Sequence, residues 1–495
     1  MKPIYSLLNK LNNRIRPTLR LKKVVPGLLI LLTLPAAAQS LVGDSPTRAR
    51  AIDGSYISWK EHRIDDPAIS GVDFSGSDGL VMADLDGDGF EDIVSVHESD
   101  NTYDSAQVLP GFTAEPRGHI RVAFGSSNPD IWTNITLAEG AEVSAVEDAA
   151  IGDANGDGYL DVMAAVELSH LIYLQNPGPG ARTETWQRLI LPISQNRGSF
   201  IRVYLADIDG DGKPEAVVAN KGAQRPGPED YARSTPVSIL KVNGDPLDGD
   251  SWQEIPLGRY SVPRNAEPFD LDQDGDLDII VGSTGERRIV FFENIDARNL
   301  LFKEHAVGIN GPAMQGFRIR YVDLSGDGRL DMVSQVGRVG LAWIEQPEHI
   351  DDAWNSYPIG NFGTDTMTGI ELADINGDRY IDVMAGGYSS GDRMEDTDVD
   401  QNNALGRLAW FENPGDAKTD WTRHDISRRK RGMFDKFIAR DMDGDGDMDF
   451  VSTRGNSYPY DGVFWLEQVR TPNPVAAFEK ARAEDSPEMP LPTTN

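Results

Sequence analysis

A nine-residue acidic motif occurs seven times along the chain. The first copy, Asp84 to Asp92, reads DLDGDGFED, and the other copies begin at Asp153, Asp207, Asp270, Asp323, Asp374 and Asp441. Successive starts are 69, 54, 63, 53, 51 and 67 residues apart, and a short apolar stretch follows the copies. The oxygen-bearing side chains at positions 1, 3, 5 and 9 can converge on one centre because the glycines let the chain curl tightly. The motif therefore predicts a cation-binding loop in every repeat.

The donor atoms of these loops favour calcium over other metals. Side-chain oxygens at positions 1, 3, 5 and 9, with the backbone carbonyl of position 7, form the oxygen-rich shell that calcium prefers. Magnesium would take fewer protein ligands, and zinc would require histidine or cysteine, which no copy contains. An EF-hand is a weaker alternative because position 12 of the first copy is Ser95, where that loop needs glutamate. We expect up to seven calcium ions, with the ligands Asp84, Asp86, Asp88, Phe90, Asp92, Asp153, Asn155, Asp157, Tyr159, Asp161, Asp207, Asp209, Asp211, Lys213, Glu215, Asp270, Asp272, Asp274, Asp276, Asp278, Asp323, Ser325, Asp327, Arg329, Asp331, Asp374, Asn376, Asp378, Tyr380, Asp382, Asp441, Asp443, Asp445, Asp447 and Asp449.

The segments between the loops have the patterns of short antiparallel strands. Aromatic segments such as IYLQNPG from Ile172 and AWFENPG from Ala409 recur, and each is half of a hairpin with an alternating segment such as TWQRLIL from Thr185. Each repeat therefore predicts strand A, a metal loop, strand B, a variable loop, strand C, a turn and strand D. Seven such units predict an all-β fold, a seven-bladed β-propeller of four-stranded antiparallel blades.

The two ends of the repeat region complement each other. The segment 57–65 has the pattern of a strand D without a preceding blade, and the last repeat ends after its strand C at 464–468. We expect the N-terminal strand to close the last blade, because closure removes two exposed sheet edges. The predicted propeller spans residues 56–469, preceded by a linker at 39–55. Residues 470–495 are rich in proline and charge, and their composition predicts a disordered tail.

The first 38 residues have the pattern of a secretory signal peptide. They hold seven basic residues and no acid, an apolar run at 24–34 and the small-residue site Ala36 to Ala38. The apolar run is shorter than the roughly 20 residues that a transmembrane helix needs. We expect a secreted or periplasmic protein with no membrane span after removal of residues 1–38.

Composition excludes several classes of function. The chain of 495 residues has 79 acidic and 47 basic side chains, a formal net charge of -32, so phosphate backbones would be repelled and no nucleic-acid partner is expected. The absence of cysteine excludes disulfides, thiolate metal sites and cysteine nucleophiles.

With these loops and strands, the chain resembles the FG-GAP/VCBS repeat family, whose propellers include that of the integrin α chains. The Phe-Gly and Gly-Ala-Pro signatures of the integrin-type repeats are poorly represented, so the resemblance is to bacterial secreted propellers rather than to adhesion receptors. It implies a propeller with calcium loops between strands A and B. It implies no particular activity, because one scaffold hosts many functions.

The face opposite the metal loops is the predicted ligand face. Basic residues occur at equivalent places where strand A begins or strand B ends, and tyrosines occur in nearby loops. We predict binding of an anionic extracellular polysaccharide or other glycan there, by arginine and lysine contacts to acidic groups and aromatic contacts to sugar rings. The alternative is that these arginines pair with acidic residues of neighbouring loops. The predicted ligand-binding residues are Arg202, Arg318, Lys436, Arg454, Tyr388 and Tyr458.

Three histidines suggest a catalytic alternative. His97, His119 and His170 occur in or beside the variable loops of the first two repeats. Together with tyrosine and arginine they would supply the base, acid and charge neutralisation for β-elimination at a uronic acid. A polysaccharide lyase, or a sugar dehydratase, is therefore the alternative to a binding protein, and a protein-adhesion module is the third hypothesis. The sequence leaves open whether the protein is an enzyme.

Overall fold

The computed structural model describes residues 40–99 and 117–493. The predicted signal peptide lies outside these residues, so its assignment remains a prediction. Within the described part of the chain, no helix has the length and apolar character required to cross a membrane. Almost all regular structure is β-strand, interrupted by two single-turn α-helices and several single 3₁₀ turns.

The strands form seven antiparallel sheets, which are the blades. Blades 1 to 6 each contain strands A to D in chain order, and blade 5 has an additional two-residue strand. The strands are β1 (Tyr56–Asp65); blade 1, β2 (Ser77–Ala83), β3 (Asp92–His97), β4 (His119–Phe124) and β5 (Thr133–Glu139); blade 2, β6 (Val146–Gly152), β7 (Asp161–Val166), β8 (His170–Gln175) and β9 (Gln187–Ile190); blade 3, β10 (Phe200–Ala206), β11 (Glu215–Asn220), β12 (Thr235–Val242) and β13 (Trp252–Tyr260); blade 4, β14 (Pro263–Phe269), β15 (Asp278–Ser283), β16 (Arg288–Asp296) and β17 (Leu301–Ala306); blade 5, β18 (Ile309–Asn310), β19 (Met314–Val322), β20 (Asp331–Val336), β21 (Gly340–Glu345) and β22 (Trp354–Asn361); blade 6, β23 (Thr366–Ala373), β24 (Asp382–Tyr388), β25 (Gly406–Glu412) and β26 (Thr422–Arg429); and blade 7, β27 (Phe437–Arg440), β28 (Asp449–Arg454), β29 (Gly462–Thr471) and β30 (Phe478–Glu479).

The helices are short connectors between strands. α1 begins after Asp66, whose side chain accepts hydrogen bonds from the backbone N–H groups of Ala68 and Ile69 and so caps the helix. The helices and 3₁₀ turns are α1 (Pro67–Ser70), α2 (Pro228–Tyr231) and the 3₁₀ turns Ala141–Val143, Gly178–Gly180, Pro192–Ser194, Gly249–Ser251 and Ala297–Asn299.

The hydrophobic core is divided among the seams between neighbouring blades. Seven apolar clusters are present, one for each pair of adjacent blades around the ring. The cluster between blades 7 and 1 contains Leu80 and Ile93 from blade 1 with Val451 and Trp465 from blade 7. Alternating side chains of each strand therefore pack against the next blade, and the predicted seven-bladed ring is confirmed.

The N-terminal strand closes the ring as predicted. β1 lies antiparallel to β29, with Trp59 opposite Gln468 and His62 opposite Trp465, and so becomes strand D of blade 7. Across the seam to blade 1, Nε of Arg121 donates a hydrogen bond to Oδ2 of Asp65 at 2.6 Å, and both side chains are buried. Closure therefore combines a complete strand ladder with a buried ion pair.

The C-terminal segment differs from the prediction of a disordered tail. β30 pairs in parallel with β1, with Phe478 opposite Trp59. Further along, Asp485 and Glu488 are buried, and Oε2 of Glu488 accepts a hydrogen bond from the backbone N–H of Gly43 at 3.0 Å. The prediction is wrong for the described residues up to 493, because these acids find buried partners that composition does not reveal. Residues 40–55, the predicted linker, also pack here.

Candidate functional site

The seven acidic loops connect strand A to strand B in every blade, as predicted. In the first loop, Oδ1 of Asp84 accepts hydrogen bonds from the backbone N–H groups of Gly87 and Asp88 at 2.8 and 3.1 Å. Its Oδ2 accepts another from Gly89 at 2.9 Å. Gly87 and Gly89 have φ values of 77° and 92°, the left-handed conformation that glycine adopts without strain. The loop thus curls around the carboxylate of its first residue.

The ninth residue of the motif fastens the loop to the blade. Oδ2 of Asp161 accepts a hydrogen bond from the backbone N–H of Ala154, and Oδ1 accepts one from Asn176 in the turn between strands C and D. Burial raises the pKa of Asp161 to about 6, although these hydrogen bonds oppose the shift. Corresponding pairs of backbone hydrogen bonds occur in blades 1, 4, 5, 6 and 7. Position 9 therefore has a structural role that the sequence pattern did not reveal.

Four of the loops present a compact donor set for a cation. Positions 1, 3 and 9 each contribute a carboxylate oxygen, and the three atoms lie within 4.8 Å of one another in the loops that begin at Asp84, Asp207, Asp270 and Asp441. In the loop of blade 4, Oδ1 of Asp270 and Oδ1 of Asp276 are buried without hydrogen-bond partners. A buried carboxylate oxygen without a partner is costly unless a cation or a hydrogen-bond donor reaches it. These residues fit a hard divalent cation.

The other three loops have fewer carboxylates at the centre. Asn155, Ser325 and Asn376 replace the acid at position 3. In blade 2, Nδ2 of Asn155 donates a hydrogen bond to Oδ2 of Asp157 at 2.8 Å. This bond stabilises the carboxylate of Asp157 without a metal. The same arrangement occurs between Asn376 and Asp378 at 3.0 Å.

Basic side chains pair with carboxylates of the acidic loops in blades 1, 3, 5 and 7. In blade 3, Nζ of Lys241 forms ion pairs with Asp209, with Asp211 at 2.8 Å and with Glu215 at 3.0 Å. In blade 1, Arg182 pairs with Asp86 and with Asp88, the latter at 2.5 Å. The ammonium group of Lys241 therefore supplies positive charge to the donor set of blade 3.

A central cavity of about 470 Å³ lies at the opposite ends of the strands. Its wall follows the repeat: the sixth residue before each motif lines the cavity in all seven blades, and the fourteenth residue after the motif start lines it in five. The first set is Asp78, Glu147, Ile201, Arg264, Phe317, Thr368 and Asp435, and the second is Glu98, Glu167, Lys221, Gly337 and Tyr388. One cavity therefore receives side chains from the entire ring.

The predicted basic residues do not form this wall. Arg202 is buried and pairs with Asp148 of the neighbouring blade, with Nη1 3.4 Å from Oδ2. Arg318 is buried and pairs with Asp435, and burial lowers the pKa of Lys436 to about 8. Arg454 pairs with Asp485 of the C-terminal segment.

Of the two predicted tyrosines, only Tyr388 is among the described residues of the wall. Arg202, Arg318 and Arg454 thus pair with acidic residues, as the alternative hypothesis states, but the acids are not those of neighbouring loops alone. The partners are Asp148 in strand β6, Asp435 just before β27, and Asp485 in the C-terminal segment.

The three histidines do not meet in the cavity. His97 is fully buried, with Nδ1 2.6 Å from the hydroxyl of Ser77, and burial holds its pKa well below the ordinary value. His119 lies opposite His97 in the blade 1 sheet, and burial lowers its pKa to about 4. His170 contacts the hydroxyl of Ser169 and the backbone carbonyl of Glu142. All three have the surroundings of neutral structural side chains.

The cavity wall is divided by charge. Blades 1 and 2 contribute the acidic patch, which consists of Asp78, Glu98, Glu147 and Glu167. Burial, and then the charges of Asp78 and Glu98, raise the pKa of Glu147 well above its ordinary value. Blades 3 to 6 contribute the basic side, which consists of Arg225, Arg264, Arg338 and Arg393, and Arg393 lies next to the acidic patch, with Nη1 3.8 Å from Oε2 of Glu98. Lys221 lies between the two and forms an ion pair with Glu167, while burial lowers its pKa to about 7.

Two arginines of the basic side have no carboxylate partner among the described residues. Arg264 forms no salt bridge there, and its guanidinium carbon lies 5.8 Å from the ring centre of Phe317. Arg338 has one long hydrogen bond, from Nη2 to the hydroxyl of Thr366 at 3.4 Å. Neither guanidinium group therefore forms a salt bridge with a described residue, although the charge of Glu147 acts on Arg264. Arg264, the second residue of β14, was not among the predicted ligand-binding residues.

Comparisons with known proteins agree with this architecture. A family model for FG-GAP-like repeats matches residues 153–218, which contain the acidic loops of blades 2 and 3, and residues 270–334, which contain those of blades 4 and 5. No curated protein sequence matches the chain.

Solved structures that match this chain include three proteins of low sequence identity. A lectin of Agrocybe aegerita, described for its recognition of non-reducing terminal N-acetylglucosamine, is 15% identical, with 81% of this chain and 92% of that chain covered and a TM-score of 0.37. YCF48 from Cyanidioschyzon merolae is 9% identical, with coverage of 83% and 98% and a TM-score of 0.45. The V. cholerae biofilm matrix protein Bap1 is 12% identical, with coverage of 85% and 92% and a TM-score of 0.40. The FG-GAP-like repeats and the ring of seven four-stranded blades identify the chain as a β-propeller of the FG-GAP repeat type.

Proposed function

We propose that the protein binds an anionic saccharide in the central cavity. The observation that carries this proposal is the pair Arg264 and Arg338, which line the cavity without a carboxylate partner among the described residues. Guanidinium groups bind carboxylate and sulfate through paired hydrogen bonds, so this side of the wall suits the acidic group of a sugar.

The remainder of the wall suits a sugar ring and its hydroxyl groups. The carboxylates of the acidic patch are hydrogen-bond acceptors for hydroxyl groups, and Phe317 and Tyr388 offer aromatic surface beside them. The volume of about 470 Å³ is within the range of small-ligand sites and admits a short saccharide rather than a bundle of chains. The ligand is therefore an acidic sugar residue or a short segment of an acidic polysaccharide.

Calcium in the acidic loops would support the scaffold on the other face. The donor sets of blades 1, 4 and 7 bring three carboxylate oxygens together, and binding of calcium there would offset the repulsion among them. This role is structural, since the loops and the cavity lie at opposite ends of the strands. With the predicted signal peptide, these features describe a secreted glycan-binding propeller.

The proposal is tested by calorimetric titration with oligomers of galacturonic acid and with neutral oligomers of glucose. The acidic oligomers should bind and the neutral ones should not, and affinity should fall as salt is increased. The double variant Arg264→Gln/Arg338→Gln should lose at least tenfold in affinity. Arg298→Gln is the matched control, because Arg298 is exposed in a turn on the metal-loop face.

Two results would overturn this assignment. Equal binding of neutral oligomers would show that charge does not select the ligand, and unchanged affinity in the double variant would place the site elsewhere. Ultraviolet absorbance of the same samples tests the lyase hypothesis, because β-elimination at a uronic acid forms unsaturated products that absorb ultraviolet light. No histidine is among the described residues of the cavity wall, so we expect binding without such products.

A further inference from the structure

The acidic patch is built from the same two positions in adjacent blades. Asp78 and Glu147 are the sixth residues before the motifs of blades 1 and 2, and Glu98 and Glu167 are the fourteenth residues after the motif starts. Among the equivalent residues of the other blades, only Asp435 of blade 7 is acidic, and it is paired with Arg318, whereas Ile201 of blade 3 is apolar. The patch is therefore a local concentration of carboxylates and not a property of every repeat.

Distances within the patch match the shell of one cation. Glu98, Glu147 and Glu167 each have a carboxylate oxygen in a group whose members all lie within 4.8 Å of one another. Two oxygens bound to the same calcium ion at 2.3–2.6 Å can be at most about 5 Å apart. The three glutamates therefore stand close enough to share one ion.

Asp78 provides an independent indication of a missing positive charge. Its side chain is 96% buried, lines the same part of the cavity and interacts electrostatically with Glu98. Oδ2 of Asp78 is buried without a hydrogen-bond partner. A buried carboxylate oxygen that lacks a donor is costly unless a cation or a donor reaches it.

The charge balance of the patch leaves room for a divalent ion. Among the described residues, two cationic groups lie within 4 Å of its carboxylates: Lys221, paired with Glu167, and Arg393, whose Nη1 is 3.8 Å from Oε2 of Glu98. Counted over the described residues, four ionised carboxylates and these two cations leave an excess of two negative charges. The absence of histidine and cysteine from the patch favours a hard cation with oxygen ligands.

We infer that the acidic patch is a divalent cation site, with calcium as its preferred ion, in the wall of the central cavity. This site is separate from the acidic loops, which lie at the other ends of the strands. A cation here would present a positive charge to the cavity opposite Arg264 and Arg338. The inference does not depend on the proposed saccharide, because the four carboxylates define the site without it.

Crystals soaked in manganese chloride, without saccharide, test the inference directly. Manganese has the same preference for oxygen ligands and gives an anomalous signal that locates each ion. We expect a peak enclosed by the acidic patch, in addition to peaks in the loops. A crystal with occupied loops and no peak at the patch would overturn the inference.

A variant and its matched control separate the patch from the loops. Glu98→Gln/Glu147→Gln should lose the peak in the cavity and keep those in the loops, whereas Asp84→Asn/Asp86→Asn should lose only the loop peak of blade 1. Equilibrium dialysis should count one calcium ion fewer for each double variant. A cavity peak that survives in Glu98→Gln/Glu147→Gln would also overturn the assignment.

Folding of the patch variant is expected to be intact. Glutamine is similar in shape to glutamate and removes two repelling charges, so in chelator the variant should melt at or above the temperature of the parent. Asp78→Asn, which changes the neighbouring ligand, provides a second variant with the same expected loss of the peak. Saccharide binding without a cavity ion would contradict the cation site alone, and a cavity ion without saccharide binding would contradict only the proposed function.

Discussion

Asp485 contacts Arg454 through both carboxylate oxygens, with Oδ1 2.5 Å from Nη2, and Oδ2 also lies 2.9 Å from Nη1 of Arg429. All three side chains are buried. Burial opposes ionisation of Asp485, but the charges of Arg454 and Arg429 hold the pKa of Asp485 well below its ordinary value. The C-terminal segment is thus tied to blades 6 and 7 by one buried carboxylate.

Replacement of this carboxylate should destabilise the protein strongly. Asp485→Asn would leave the buried guanidinium group of Arg454 without its paired carboxylate, whereas Arg429 would keep its ion pair with Glu61. We expect an effect of about 3–5 kcal/mol in the free energy of unfolding. Urea unfolding of parent and variant in calcium measures the difference. Deletion of residues 472–495 should have a similar effect. If the variant lacking residues 472–495 melted at the same temperature as the full-length protein, the structural role of the segment would be refuted.

Calcium should stabilise the fold, and the loops should differ in affinity. Chelation should lower the melting temperature, since the carboxylate groups of blades 1, 4 and 7 then repel one another.

Asn155→Asp should add one tightly bound calcium ion, measured by equilibrium dialysis, because it completes the carboxylate set of blade 2. The same change should lower the melting temperature in chelator, since the hydrogen bond from Asn155 to Asp157 is replaced by repulsion. An unchanged calcium count would contradict this ranking of the loops.

Lys241 should compete with calcium in blade 3. Its ammonium group contacts Asp209, Asp211 and Glu215, so calcium can enter only if these ion pairs break. We expect Lys241→Met to bind calcium in this loop more tightly than the parent by at least tenfold, and to melt at a lower temperature in chelator. Lys303→Met is the control, because Lys303 is a mostly exposed partner of Glu293 outside the loops. Identical calcium affinities for parent and Lys241→Met would exclude competition.

His119 should make stability depend on pH. Burial lowers the pKa of His119 in the folded protein from 6.5 to about 4, so the unfolded chain binds a proton that the folded protein does not. Stability from this group is present above pH 6.5 and is lost as the pH falls toward 4. The loss is on the order of 3 kcal/mol for one proton across this interval. Urea unfolding in chelator at several pH values should show a shallower decline for His119→Gln, and an identical decline would refute the assignment.

The sequence repeat predicted the fold correctly but misplaced the cavity wall by one residue. Arg202 and Arg318, five residues before their motifs, were expected in the wall, whereas their neighbours Ile201 and Phe317 line it. In blades 1 to 6 the pairing of strands A and B shifts register near the cavity, as at a β-bulge. A shift of one residue exchanges the two faces of a strand, and a bulge of this kind leaves no signal in the hydrophobic pattern.

The metal loops were easier to predict than the cavity for a physical reason. A loop of nine residues contains its own donors, so local spacing determines its chemistry, as the bonds from Gly87 and Gly89 to Asp84 illustrate. The acidic patch instead combines side chains that are far apart in sequence, such as Asp78 and Glu167. Their proximity follows from the angle between neighbouring blades, which the sequence alone does not provide.

The position of β1 between β29 and β30 sets an order of events during biosynthesis. Residues 56–65 are synthesised before blades 1 to 6, but their two neighbouring strands, which end at residues 471 and 479, are synthesised after those blades. Until then the first strand has no native partner in its own sheet. Blades 1 to 6 can acquire their sheets in turn, while the ring can close only after all six have been synthesised.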